Sequence, residues 1–201
     1  MNSETSNKIA RLISTIFIPP TFTILIFSYF ALTLESELLK ILVTFMVPFI
    51  FGLVAPILLF LILRKKGKIV DMDASIKEER TIPFFIAIVF YSVGLYFLIL
   101  FKVNIISIAF WFCYISNTLI TIMINKYWKI SAHAMGAAGS FAASVSTFGL
   151  LGLTLLPVTI LVGWSRIKLK CHTFLQVASG ILVAFISTYI QMQLIINYFS
   201  K

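Results

Sequence analysis

The sequence predicts an all-α fold, a polytopic transmembrane helical bundle with about six to seven membrane segments. Three observations lead there. Of the 201 residues, 60% are hydrophobic and only 11% charged, whereas soluble domains average about 45–50% apolar and about 25% charged. The mean hydropathy is +1.05. The apolar residues also cluster in stretches near the ~20 residues that a membrane helix needs. One integral membrane domain, 1–201, accounts for the whole chain. The formal charge of +9 lies in short loops between the apolar stretches, the usual loop pattern of membrane proteins. It therefore argues for membrane lipids as partners and against nucleic acid.

The first span, 9–32, contains Pro19-Pro20 and no small-residue cleavage site, so it reads as a retained helix instead of a signal peptide. Span 38–63 follows, then the longest polar loop, 64–82, with Asp71, Asp73, Lys77, Glu78, Glu79 and Arg80. Pro83 should start the next span, 83–101, where its missing N–H costs nothing. Spans 104–124 and 173–199 are of ordinary length. Cys113 falls inside a span and Cys171 in a basic loop, depths that do not suit a disulfide. Trp111, Trp128 and Trp164 fit an aromatic belt or span packing.

Stretch 134–164 is too long for one untilted helix and short for two. It contains Gly149-Leu150-Leu151-Gly152 and then Pro157, a combination expected to turn the chain. Each half would be about 22 Å long at 1.5 Å per residue, shorter than the bilayer core. The first half is rich in Gly, Ala and Ser, which suits close helix packing. Loop charge favours two crossings. With the stretch doubled back, every Lys and Arg except Lys40, Lys102 and Lys201 falls on the N-terminal side. The positive-inside rule makes that side cytoplasmic, and the expected location is the plasma membrane of a prokaryote.

This topology gathers Arg80, His133, Arg166 and His172 at one membrane face. Ionisable groups at a membrane boundary are functional candidates, and the two histidines are the only ones in the chain. Two arginines can clamp a phosphate and stay charged. One imidazole can attack phosphorus while the other protonates the leaving oxygen. Ser131 and the backbone N–H groups of Ala132 and His133 would open a helix, a natural anion site.

The strings that carry these residues resemble a known family. Ser165-Arg166, five residues, then His172 is similar to the third signature of the type 2 phosphatidic acid phosphatase superfamily, which includes lipid phosphate phosphatases and vanadium haloperoxidases. Ser131-Ala132-His133 resembles its second signature, Ser-Gly-His, with alanine in place of glycine. Arg80 in Glu79-Arg80-Thr81-Ile82-Pro83 is similar to the arginine of the first, Lys-x6-Arg-Pro. The phosphatase-like core would cover about 64–180. The resemblance implies that His172 is the nucleophile of a phosphohistidine, His133 the general acid, and Arg80 and Arg166 the phosphate clamp. Ser131, Ala132, Ser165 and Lys77 would complete the substrate site, and no metal or other cofactor is implied. Two departures stand out. The family's lysine position falls on Asp73, with Lys77 as a nearby substitute. The family's nucleophile-orienting aspartate is Gln176, which can accept the same hydrogen bond but adds no charge.

Other charges have plainer explanations. Lys65, Lys66 and Lys68 suit orientation signals, and Lys168 and Lys170 a run that binds lipid headgroups. Glu78 and Glu79 suit either a helix start or partnership with Arg80. Asp71-Met72-Asp73 also resembles the first Asp-rich motif of intramembrane prenyltransferases. Those enzymes need a second acidic cluster to hold magnesium, and this chain has no further aspartate. The expected function is a membrane lipid phosphatase acting on a phosphomonoester or diphosphate of a lipid or prenyl alcohol. A non-catalytic lipid-phosphate binder or transporter, and a lipid phosphotransferase, are the alternatives.

Overall fold

The computed structural model describes residues 3–71, 73 and 76–199, and every regular element among them is helical. Helix α1 (Ser3–Ile16) is amphipathic and meets α2 (Pro19–Leu34) at a bend of 55°. Pro19 and Pro20 open α2 and have no N–H to continue α1, which breaks the chain there. The stretch expected as one straight span is therefore a kinked pair. The next span is continuous from Leu38 to Lys65. It consists of α3 (Leu38–Pro48), a π-helical turn (Phe49–Val54) and α4 (Ala55–Lys65). Pro48 and Pro56 flank that wide turn, where missing donors favour π geometry.

A 3-10 turn (Glu78–Arg80) leads into α5 (Thr81–Leu100), so Pro83 lies in the first turn and not at its first residue. Helices α6 (Ile105–Tyr127), α7 (Ala132–Phe148), α8 (Leu156–Lys168) and α9 (Phe174–Phe199) complete the bundle. Side-chain caps set two of the starts. Asn104 accepts from the Ile106 N–H at 3.0 Å, and Ser131 from the Ala134 N–H at 3.3 Å.

By length and composition, five helical stretches among the described residues can cross a membrane, or six with the bent α1–α2 pair. This is an integral membrane protein. One of the five is Ala132–Lys168 taken whole, yet that stretch reverses at its centre. Gly149 has φ +58°, and a 3-10 segment (Gly149–Leu155) follows it. A Cβ at Gly152 would lie 2.3 Å from the Val145 nitrogen, so the segment rests on the last turn of α7. Thr159 Oγ1 comes within 3.5 Å of the Ala137 carbonyl oxygen. In a straight helix, residues 22 apart would be separated by about 33 Å. The doubled-back arrangement is the observed one.

α7 is the central helix. Ala134, Ala137, Ala138, Gly139, Ser140, Ala142 and Ala143 are all buried, because small side chains let α2, α8 and α9 approach closely. A second core joins α2, α5 and α6 through aromatic rings. Phe27 stacks on Phe110 at 5.4 Å, and Trp111, fully buried, donates from Nε1 to the Tyr91 carbonyl at 2.8 Å. Trp111 therefore serves span packing. Large apolar side chains such as Leu32, Met123 and Phe174 cover the outside, the surface that lipid would solvate.

Candidate functional site

The Arg166–His172 spacing is held by a helix stop. The Lys170 N–H donates to the Ile167 carbonyl at 2.9 Å and the Cys171 N–H to the Arg166 carbonyl at 3.0 Å. Lys170 has φ +56°. This is a Schellman motif with lysine in the left-handed position usually given to glycine. The Arg166 carbonyl also accepts from the His172 N–H at 3.3 Å. The backbone of His172 is thus folded back onto that of Arg166 at the end of α8.

A capping box then starts α9. Thr173 Oγ1 accepts from the Gln176 N–H at 3.3 Å, and Gln176 Oε1 accepts in return from the Thr173 N–H at 3.2 Å. The same Oε1 lies 3.2 Å from His172 Nδ1. Since the backbone N–H identifies that atom as an acceptor, Nδ1 carries the proton and Nε2 holds the lone pair. The pattern Thr173-x-x-Gln176 was legible as a capping box in the sequence, a second role for a residue considered there only as a substitute for aspartate.

His133 stands in the first turn of α7, directly after Ala132. Arg80 reaches across from the 3-10 turn and donates from Nη1 to the Ile130 carbonyl at 3.1 Å. Together with Asp73 and Ala132, these three side chains line a cavity of about 160 Å³, closed by Pro19, Phe60, Ile69, Pro83 and Phe84. Both histidines, Arg80 and the α7 start therefore meet at one end of the bundle.

Arg166 is fully buried at the same end. Its Nη1 donates to Asp73 Oδ1 at 2.6 Å and to the Ser14 hydroxyl. Its Nε and Nη2 have no hydrogen-bond partner among the described residues. These two N–H groups form the side-on fork that matches two oxygens of a carboxylate or phosphate. A buried, unsatisfied donor pair is costly, and an acceptor placed against it would relieve that cost.

Arg11 and Ser14 took no part in the sequence-based site, and Asp73 entered it only as the residue at the family's lysine position. Asp73 bridges Arg166 and Arg11, with Oδ2 2.8 Å from Arg11 Nη1. Arg11 and Ser14 come from α1, the helix outside the expected core. Their signal was the four-residue periodicity of Ser6, Ala10 and Ser14, all buried. Burial opposes ionisation of Asp73, but hydrogen bonds from Arg11 and Arg166 outweigh it and bring its pKa down to about 2. Burial, with Arg80, Lys129 and Arg166 nearby, lowers His172 to about 3. The imidazole is neutral at pH 7 and can act as a nucleophile.

Other expected ligands are placed elsewhere. The Lys77 ammonium donates to the Lys126 carbonyl at 3.0 Å and does not line the cavity. It does not replace the missing lysine, because the loop turns it toward the end of α6, where Asn125 binds its carbonyl at 2.8 Å. Ser131 is fully buried as the cap of α7. The Ser165 hydroxyl donates back to the Val162 carbonyl at 2.7 Å. Both hydroxyls therefore serve backbone groups, while Ala132 does line the cavity. Glu79 Oε2 accepts from the Val70 N–H at 3.1 Å, pinning the loop that carries Asp73. Comparison of the chain with protein families, curated proteins and solved structures finds no match.

Proposed function

We propose that the protein hydrolyses a phosphomonoester or diphosphate of a lipid or prenyl alcohol through a phosphohistidine. The unpaired Nε and Nη2 of buried Arg166, at the same end of the bundle as the two imidazoles, carry this proposal. A phosphoryl group seated on that fork would satisfy both donors, with Arg80 supplying a second positive charge. His172 Nε2 attacks phosphorus and the bond from phosphorus to the lipid oxygen breaks. His133, protonated when the anionic phosphate enters with its proton, passes that proton to the oxygen. Water, deprotonated by His133, then attacks the phosphohistidine and releases inorganic phosphate. Gln176 holds the attacking ring in the required tautomer.

The neutral amide of Gln176, where charge would stabilise an imidazolium, supports a second reading: a lipid-phosphate binder without turnover. Phosphate release by the purified protein from phosphatidate, phosphatidylglycerol phosphate and prenyl diphosphates separates the two. Hydrolysis lost in His172→Ala is the expected result. Release at the wild-type rate by that variant rules out the phosphohistidine. Loop charge supports a site on the cytoplasmic face of a prokaryotic plasma membrane. An engineered cysteine at Lys168 should then resist an impermeant thiol reagent added to intact cells.

A further inference from the structure

A second cavity of about 130 Å³ lies within the bundle between α2, α5, α6 and α7. It shares the wall residues Pro19, Phe84 and Ala132 with the histidine cavity, so the two lie side by side. Its α7 wall is Ala132, Met135, Gly136, Gly139 and Ser140, all small except Met135. These residues share one helical face and leave the space unfilled. From Ala132 to Ser140 the wall runs about 12 Å at 1.5 Å per residue. Opposite stand the rings of Tyr91, Phe110 and Tyr114. Close packing normally removes such space from a protein interior.

Several polar groups of this cavity are engaged by neighbours in it or on α9, whereas the buried Ser140 hydroxyl has no hydrogen-bond partner among the described residues. Thr23 Oγ1 donates to the Tyr114 hydroxyl at 2.9 Å, and Thr121 Oγ1 to the Asn117 carbonyl at 2.6 Å. The Asn117 amide binds Thr188 and Ser187 of α9. The space is thus bordered mainly by methyl groups, backbone and ring faces. On one side it is shut, because a Cβ at Gly136 would lie only 3.1 Å from Pro19 Cα.

We infer that this inner cavity receives the hydrocarbon chain of the ligand, and that the ligand is a single-chain lipid phosphate, a prenyl or alkyl phosphate. The inference rests on the phosphate site above, since the cavity adjoins that cationic pocket across Pro19, Phe84 and Ala132. The headgroup sits on Arg166 and the first part of one chain descends along α7. A two-tailed phosphatidate would have to leave its second tail outside.

The test uses the full-length protein in detergent micelles with farnesyl phosphate bearing a diazirine on its chain. Irradiation should label Tyr91 or Thr118, which line the cavity. Ser140→Leu should weaken that labelling about tenfold, the equivalent of losing about two buried methylene groups. Thr118→Leu, at a partly exposed position, is the milder variant if Ser140→Leu does not fold. Unlabelled farnesyl phosphate should compete and dioleoyl phosphatidate should not. Labelling of Val89 and Leu119, on the exposed faces of the same helices, overturns the inference, as does equal competition by phosphatidate. Inner labelling without phosphate release would leave the chain site standing and remove catalysis. Phosphate release with outer labelling would do the reverse.

Discussion

The carboxylate of Asp73 lies 2.6 Å from Nη1 of Arg166, the end of the guanidinium farthest from its unpaired side-on fork. In the ligand-free protein, Asp73 is the counter-ion of a fully buried arginine. It also holds Arg11 at 2.8 Å. A phosphate entering the fork would find the opposite end already anchored.

Removing that anchor has a calculable sign. Breaking a buried pair costs about 3–5 kcal/mol, and the partial exposure of Asp73 reduces this to roughly 1–3 kcal/mol. Asp73→Asn should therefore lower the thermal midpoint of the empty protein. Inorganic phosphate should raise the midpoint more in the variant than in wild type, because it supplies the missing negative charge. A phosphate-induced rise no larger than wild type would contradict the anchoring role.

Gln176 orients His172 without charge. Gln176→Leu leaves Nδ1 without its acceptor and should reduce turnover on the order of a hundredfold, less than the ~10⁴ seen when a charged partner is replaced. Gln176→Glu keeps the acceptor and adds charge, so turnover should equal or exceed wild type and the acid limb of the rate profile, set by deprotonation of His172, should move to higher pH. Parallel pH–rate profiles of the three proteins provide the measurement.

The depressed pKa of His172 predicts acid lability. Between the ordinary histidine value of 6.5 and the folded value of about 3, the unfolded chain binds a proton that the fold rejects. Stability is thus fully present above pH 6.5 and falls as pH drops toward 3. Asp73 acts in a lower window, losing its contribution as pH falls from 3.8 to about 2. Thermal midpoints measured from pH 7 to 4 should decline in wild type and decline less in His172→Gln.

Two turns hold the site and respond oppositely to glycine chemistry. Lys170 at φ +56° carries a left-handed penalty of about 1–2 kcal/mol, so Lys170→Gly should be as stable as wild type or more so, with unchanged phosphate binding. Gly152→Ala meets the α7 backbone at 2.3 Å and should open the α7–α8 hairpin. Loss of thermal stability in the second variant and not in the first, measured by unfolding in detergent, is the expected pair of results.

Much of this arrangement was legible in the chain because the signals are local. Apolar stretches of helical length, Pro157 and the pair Gly149 and Gly152 marked the reversal after α7. Once that reversal is drawn, loop parity alone brings Arg80, His133, Arg166 and His172 to one end. The Lys77 expectation failed because side-chain direction in a loop depends on its neighbours, here the Lys126 carbonyl. Ser131 was expected to open α7 and does so as its cap, whereas the role of Ser165 was hidden, since a hydroxyl can serve an adjacent backbone group as readily as a ligand.

Sequence by itself determined the all-helical membrane architecture, the hairpin and the end of the bundle at which the ionisable groups collect, because hydrophobic length and turn residues act over a few positions. Tertiary structure decided that α1 bends 55° and brings Arg11 and Ser14 to the pocket, that Asp73 becomes the counter-ion of Arg166, and that a second cavity opens below the histidines. Those features depend on distances between residues 60 to 150 positions apart, which only packing of the helices can set.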